Sequence, residues 1–255
     1  MLRLVCNIQT TSFLGTHAVA MDLLKILRAL PGSFVPTKIQ TSHLPAQNFS
    51  PDSPEAFLEC LPGKFYCQGD VSLIKPQRIF ECSVHWQKGN HDWFAKHPTK
   101  PFNWIGLSSG LWEEILSSEH FSSFQSIFIS LCESFRAIYG SMQLEDSTKI
   151  DSPNGFGHCM PRLHWITYLG KAYTKAMDKQ LAKSCNSFTV SRRAEGVLTK
   201  LACSAQDTIR QSATESLAIE HLGADYFWNP KDNWRKPQFH YRMPELDWSS
   251  VITAT

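Results

Sequence analysis

Apolar and polar positions follow two rhythms along this chain. Residues 2–8 are a short apolar run followed by turn formers, and they predict a strand. From Thr16 the period changes. Ala20, Leu23, Leu24, Leu27 and Leu30 fall on one face at helical spacing, Thr16 supplies the cap, and Pro31-Gly32 ends the helix. The pattern then dissolves over residues 31–69, where Pro36, Pro45, Pro51, Pro54 and Pro62 punctuate a polar stretch. A loop that long is unusual inside a compact domain. It reads as a partner-binding insertion or a surface excursion, pinned by Phe57-Leu58 and Phe65-Tyr66.

The alternating rhythm returns at residues 71–86, as one or two strands broken near Pro76. Phe80, Cys82, Val84 and Trp86 face a core, and Ile79, Glu81, Ser83 and His85 face away from it. Residues 102–107 predict another strand. Phe121, Phe124, Phe128, Leu131, Phe135 and Ile138 recur every three or four positions, predicting an amphipathic helix opened by Ser118-Glu119 and running to Tyr139-Gly140. Strands follow at 141–145 and 163–169, then a helix over 171–183, a hairpin from 187–190 and 196–201, and a last helix from a cap near Asp207 to Leu222, stopped by Gly223. An irregular tail occupies 229–255. Strands in groups with about four helices between them predict one α+β domain over 1–255, with a mainly antiparallel mixed sheet.

Composition narrows the function. With 255 residues the chain can bury a real core, and a net charge of +2 lacks the basic excess of a dedicated nucleic-acid binder. No apolar run approaches the ~20 residues of a membrane-spanning helix. The first eleven residues read as a strand rather than a leader, so the expectation is a cytoplasmic protein. The eight cysteines include no CxxC pair and read as reduced, mostly buried thiols.

Dinucleotide, phosphate-loop, serine-hydrolase and zincin signatures are missing from the sequence. His85, His91 and His97 would make a metal-dependent hydrolase if folding gathered them, but a six-residue spacing shares no tight face of a helix or strand. Cys159 with His158 or His164 would make a thiol enzyme if a third group oriented them. Glu113-Glu114 and Glu145-Asp146 are adjacent acids, poorly placed for paired-carboxylate catalysis but suited to meeting a basic partner. The basic, aromatic segment 231–242 reads as a packed tail rather than a single-strand nucleic-acid site. These tests favour a binding protein over an enzyme, with no cofactor and no metal.

One stretch carries a family resemblance. Trp165, Tyr168, Leu169-Gly170 and Tyr173 resemble the W-x-x-Y-hydrophobic-G-x-x-Y core of the immunity protein 52 family, among the immunity proteins of bacterial polymorphic-toxin and type VI secretion systems. Leu181 and Ser184, Glu195-Gly196-Val197-Leu198, and Leu222-Gly223-x-x-Tyr226-Phe227 follow in that family's order, so the similarity spans residues 160–228. Asp178 departs from the family's Gly. The resemblance implies an α+β protein held in the cytoplasm of a toxin-producing bacterium. It would neutralise a cognate secreted toxin, best matched by a DNase of restriction-endonuclease-like fold, through stoichiometric binding. It implies no direct nucleic-acid or membrane contact and transfers no catalytic residue. Aromatic anchors within a polar rim build such interfaces, which nominates Trp93, Phe94, Glu113, Glu114, Glu145 and Asp146 as contacts.

Overall fold

The structure is a computed structural model. It describes residues 2–52, 54–60, 68–89, 103–146, 160, 162–209, 212–228, 241–242 and 244–251. Within these, ten strands form one continuous sheet. They are β1 (Leu2–Thr10), β2 (Lys38–Gln40), β3 (Gln47–Asn48), β4 (Gln68–Lys75), β5 (Phe80–Gln87), β6 (Asn103–Ser109), β7 (Tyr139–Asp146), β8 (Ile166–Gly170), β9 (Phe188–Arg193) and β10 (Gly196–Leu201). Their order across the sheet is β3-β2-β4-β5-β6-β1-β7-β8-β10-β9, and every neighbouring pair is antiparallel.

Among the described residues seven α-helices accompany the sheet, where the sequence pattern predicts about four. They are α1 (His17–Leu27), α2 (Glu55–Cys60), α3 (Trp112–Ser117), α4 (His120–Ser134), α5 (Lys171–Ala176), α6 (Asp178–Leu181) and α7 (Ala213–Leu222). The excess comes from short pieces. The helix expected over 171–183 is divided at Met177, whose φ of −107° and ψ of 14° leave the helical region. The one expected from Asp207 starts later, at Ala213, with the Ser212 hydroxyl accepting from Glu215 N. Asp207 instead closes a local turn, accepting from the Ser204 amide and hydroxyl. Thr16 caps α1 as expected, accepting from Val19 N.

The segment expected to be patternless contributes structure. Within 31–60, β2 and β3 form a hairpin that extends the sheet edge beyond β4, and α2 packs against α1 and the larger core. Phe34, Ile39, Phe49 and Phe57 are all buried. Arg28 of α1 ties the excursion down, donating to Pro51 O at 2.7 Å. Phe65 and Tyr66 lie outside the described residues.

Alternation along each strand divides the hydrophobic side chains between two cores, one on each face of the sheet. The larger core includes Leu4, Cys6 and Ile8 of β1, Phe80 to Trp86 in alternate positions of β5, and Ile105 and Leu107 of β6; α1, α2, α3 and α4 cover it. The smaller core lies on the opposite face at the β7-β8-β10-β9 end. It joins Tyr139, Leu169 and Val197 to Tyr173, Met177 and Leu181 of α5 and α6, to Ala218 and Leu222 of α7, and to Tyr226 and Phe227. β7, β8 and β10 are therefore sandwiched, and β8 is buried at all five positions. Among the described residues no helix packs on the second face of β4, β5, β6 and β1.

Candidate binding surface

The uncovered half-face is best followed by register. One row of directly opposed residues runs Gln40, Ser72, Ser83, Gly106, Asn7, Ser141, Thr167, Thr199 from β2 to β10. Under the second core, Ser141, Thr167 and Thr199 are buried, and the Thr199 hydroxyl donates to Thr167 O. Outside it the row consists of small, half-buried polar residues, and the Ser72 and Ser83 hydroxyls are 2.9 Å apart. An adjacent row carries Asp70, His85, Trp104 and Gln9. The row on the other side carries Glu81, Ser108, Val5 and Gln143.

Trp104 dominates this face. In β6, Asn103, Ile105 and Leu107 are buried toward the helices, so Trp104, Gly106 and Ser108 point the other way. A Cβ on Gly106 would meet Trp104 Cζ3 at 2.9 Å, so the indole lies across a strand position that only glycine leaves free. His85 flanks it, with ring centroids 6.0 Å apart and planes at 19°. Trp104 nonetheless remains 38% exposed, one of few large apolar side chains to do so. Between His85 and Gln9 on the adjoining strands, it is a partly exposed aromatic within a polar surface. Burial lowers the pKa of His85 and the Asp70 charge works against that shift; the net shift is downward, leaving the imidazole neutral near pH 7.

Two polar atoms here are shielded from solvent and find no hydrogen-bond partner among the described residues: Arg3 Nε, and Oε1 of Gln9 beside Trp104. Arg3 stands directly opposite Glu145. Glu145 therefore belongs to this face, whereas Asp146 and Leu144 point to the other. Glu113 and Glu114 are exposed on α3, in the layer covering the larger core. The acidic pairs thus share an end of the sheet, since Leu2 pairs with Asp146 and α3 follows β6 directly, but of the four only Glu145 points to this face. Trp93 and Phe94 lie outside the described residues, as do His91, His97, His158, Cys159 and the segment 231–240.

His85 sits on the uncovered face and His164 is buried beside Tyr139, their ring centroids 6.4 Å apart. Among the described residues no three His, Cys, Asp or Glu side chains are gathered as metal ligands. Burial pushes the thiols of Cys6, Cys82 and Cys132 far up, which suits packing rather than nucleophilic use. No helix among the described residues is long and apolar enough to cross a membrane.

The quoted motif residues converge in space, at the covered end of the sheet. Tyr168, Leu169 and Gly170 pair directly with Leu198, Val197 and Gly196. Tyr173 meets Tyr226 edge to face at 6.4 Å. The Trp165 indole donates to Cys203 O and packs against Phe121. Nearby, Arg162 bonds the fully buried Glu215 through both carboxylate oxygens, at 2.9 and 2.5 Å. The segment with the strongest sequence signal is therefore scaffold. The partly exposed Trp104 lies on the other half of the sheet, and its signal in the sequence is a Trp-x-Gly on the polar phase of an alternating strand.

No protein-family model matches the chain, and no curated protein matches it. Among solved structures the fold is similar to "Pseudomonas aeruginosa T6SS protein PA0821", with a TM-score of 0.56 at 15% sequence identity over 87% of this chain and 76% of that one.

Proposed function

We propose that this chain is an immunity protein that binds a cognate bacterial toxin and neutralises it stoichiometrically, without turnover. The supporting observation is the likeness in fold, over most of the chain, to a protein of a type VI secretion system. The residues resembling immunity protein 52 support it separately, because they gather at one end of the sheet: Trp165 and Tyr168 pack into the larger core, Tyr173 and Tyr226 into the smaller, and Gly170 opposes Gly196 between them. The favoured partner is a nuclease toxin of restriction-endonuclease-like fold. The working location is the cytoplasm of the producing cell, where such a toxin would reach DNA.

Binding without turnover fits a half-face of the sheet that no described helix covers, a polar surface that carries the partly exposed Trp104. The test is co-expression with the secreted toxin encoded beside this chain's gene. The expected result is rescue of growth and a complex that co-purifies at fixed stoichiometry. Unchanged toxicity with no complex overturns the proposal.

A further inference from the structure

We propose that the pocket at the β4–β5 turn binds a tetrahedral oxyanion, a phosphate or sulfate group, through Arg3, Lys75 and Arg78. The site stands apart from the immunity reading, so either can fail without the other.

The pocket holds about 130 Å³. At ~30 Å³ per water that is room for about four waters, or for one anion with four oxygens. Its walls include Arg3 of β1, Lys75 and Arg78 at the turn, Glu81 of β5 and Ser108 of β6. Three of these residues are cationic and one, Glu81, is anionic, a formal surplus of two positive charges. Glu81 is also engaged along its own strand, where one carboxylate oxygen accepts from the Ser83 hydroxyl at 3.1 Å. The surplus matches a phosphate or sulfate dianion better than the single charge of a carboxylate.

Arg3 shows the need for a counter-ion most directly. Its Nε is shielded from solvent and finds no hydrogen-bond partner among the described residues. A shielded donor on a charged group is costly to leave unbonded, and folded proteins meet that cost with a partner group, a water or an ion. A water would accept the hydrogen bond but leave the charge surplus uncompensated. An oxyanion satisfies both.

The turn holds its cation in place at some cost to the backbone. Gln77 and Arg78 both take the left-handed conformation, with φ of 63° and 61°, where a two-residue hairpin turn favours asparagine and glycine. The body of the sheet fixes that conformation. Gly110 N donates to Arg78 O at 2.8 Å, and the Ser109 hydroxyl donates to Ile79 O at 2.6 Å. A Cβ on Gly110 would meet Arg78 O at 3.1 Å, so the end of β6 lies close against the turn. Strain held by surrounding structure in this way clusters at ligand sites.

The experiment titrates the full chain with inorganic phosphate, and separately with phenyl phosphate, at an ionic strength held constant with sodium chloride. Heat of binding and melting temperature are followed together. The wild type is expected to bind phosphate saturably below ~10 mM and to melt at a higher temperature when it does. Binding of inorganic phosphate alone makes the free ion the ligand; binding of phenyl phosphate as well makes it the phosphate group of a larger molecule. Both outcomes support the site. Arg3→Gln is expected to weaken phosphate binding at least about tenfold, and Glu81→Gln is expected to strengthen it. Lys183→Gln removes an exposed cation outside the pocket and is expected to bind as wild type. Circular dichroism establishes that each variant is folded, and Lys75→Gln replaces Arg3→Gln if the latter is not. Three results overturn the proposal: no saturable binding, wild-type binding by the folded pocket variants, or equal weakening by Lys183→Gln, which would mean an adventitious ion only.

Discussion

At the scale of single residues, His164 is the most informative group in the buried corner. It is 5% exposed and lies against Tyr139, and its amide donates to the Thr167 hydroxyl. Burial drives its pKa well below 6.5, and the neighbouring Arg162 charge adds to that effect. Tyr139 faces it as a neutral phenol, because burial pushes that pKa upward. The Arg162 guanidinium is itself bonded to Glu215. The unfolded chain therefore binds a proton at His164 that the folded chain refuses. A histidine with a depressed folded pKa gives full stability above its unfolded value, about 6.5, and loses it as pH falls toward the folded value. The slope approaches about 1.4 kcal/mol per pH unit for one such group. His85 adds in the same direction, weakened by its partial exposure to solvent. Urea unfolding between pH 7.5 and 5.0 is expected to show stability falling with pH, and His164→Gln is expected to flatten that fall. Equal slopes in the two proteins would refute the assignment.

At the scale of elements, the β8–β10 pair shows why the motif needs its glycines. Gly170 and Gly196 oppose each other directly. A Cβ on Gly170 would lie 2.1 Å from Ala137 O and 3.0 Å from Ile138 Cα, and both are backbone atoms that cannot swing aside. Gly170 also donates to Ile138 O at 2.9 Å, fixing β8 to the start of β7. Gly170→Ala must push the two segments apart, at a cost of about 1–3 kcal/mol or more. Gly32→Ala, where nothing lies within 4 Å, is the matched control and is expected to change stability by less than about 1 kcal/mol. Thermal denaturation of the two variants side by side separates a steric requirement from a general intolerance of alanine.

The same elements show what could be read from the sequence. β5 was legible because one face is buried and one is not, so Phe80, Cys82, Val84 and Trp86 alternate cleanly with polar residues. β8 and β10 are covered on both faces and offer almost no alternation; they were found through aromatic and glycine spacing. The end of α4 was misplaced by about five residues because no glycine marks it. Arg136 takes the left-handed conformation there, with φ at 49°, while Ala137 N reaches back to Cys132 O. The periodic apolar residues Phe135 and Ile138 continue past that turn and are buried without being helical. The sequence does not nominate Trp104 as a surface residue for a different reason. Alternation shows that a strand has two faces, but only the assembled sheet shows which face the later helices α5, α6 and α7 cover.

At the scale of the molecule, the continuous sheet leaves two cores on opposite faces, and the described C-terminal residues reach across the end where β1, β5 and β7 meet the α1 and α5 loops. Arg242 pairs with Asp225 at 2.6 Å and its amide donates to Asp225 O. Leu246 and Trp248 then pack against the smaller core. Farther on, the Ser250 hydroxyl accepts from Phe13 N, beside α1, and Val251 O accepts from Gly89 N, just past β5. Val251 is fully buried. One segment thus fastens the second core to loops that flank the first. Burying a single valine contributes about 1.5–3 kcal/mol, and Leu246, Trp248 and the two hydrogen bonds add to that. A chain ending at residue 243 keeps every described strand and helix, so it is expected to fold, but with a melting temperature lower by several degrees. Val251→Ser alone is expected to reproduce a substantial part of that loss. A melting temperature unchanged by truncation would mean that the segment rests on the body without stabilising it.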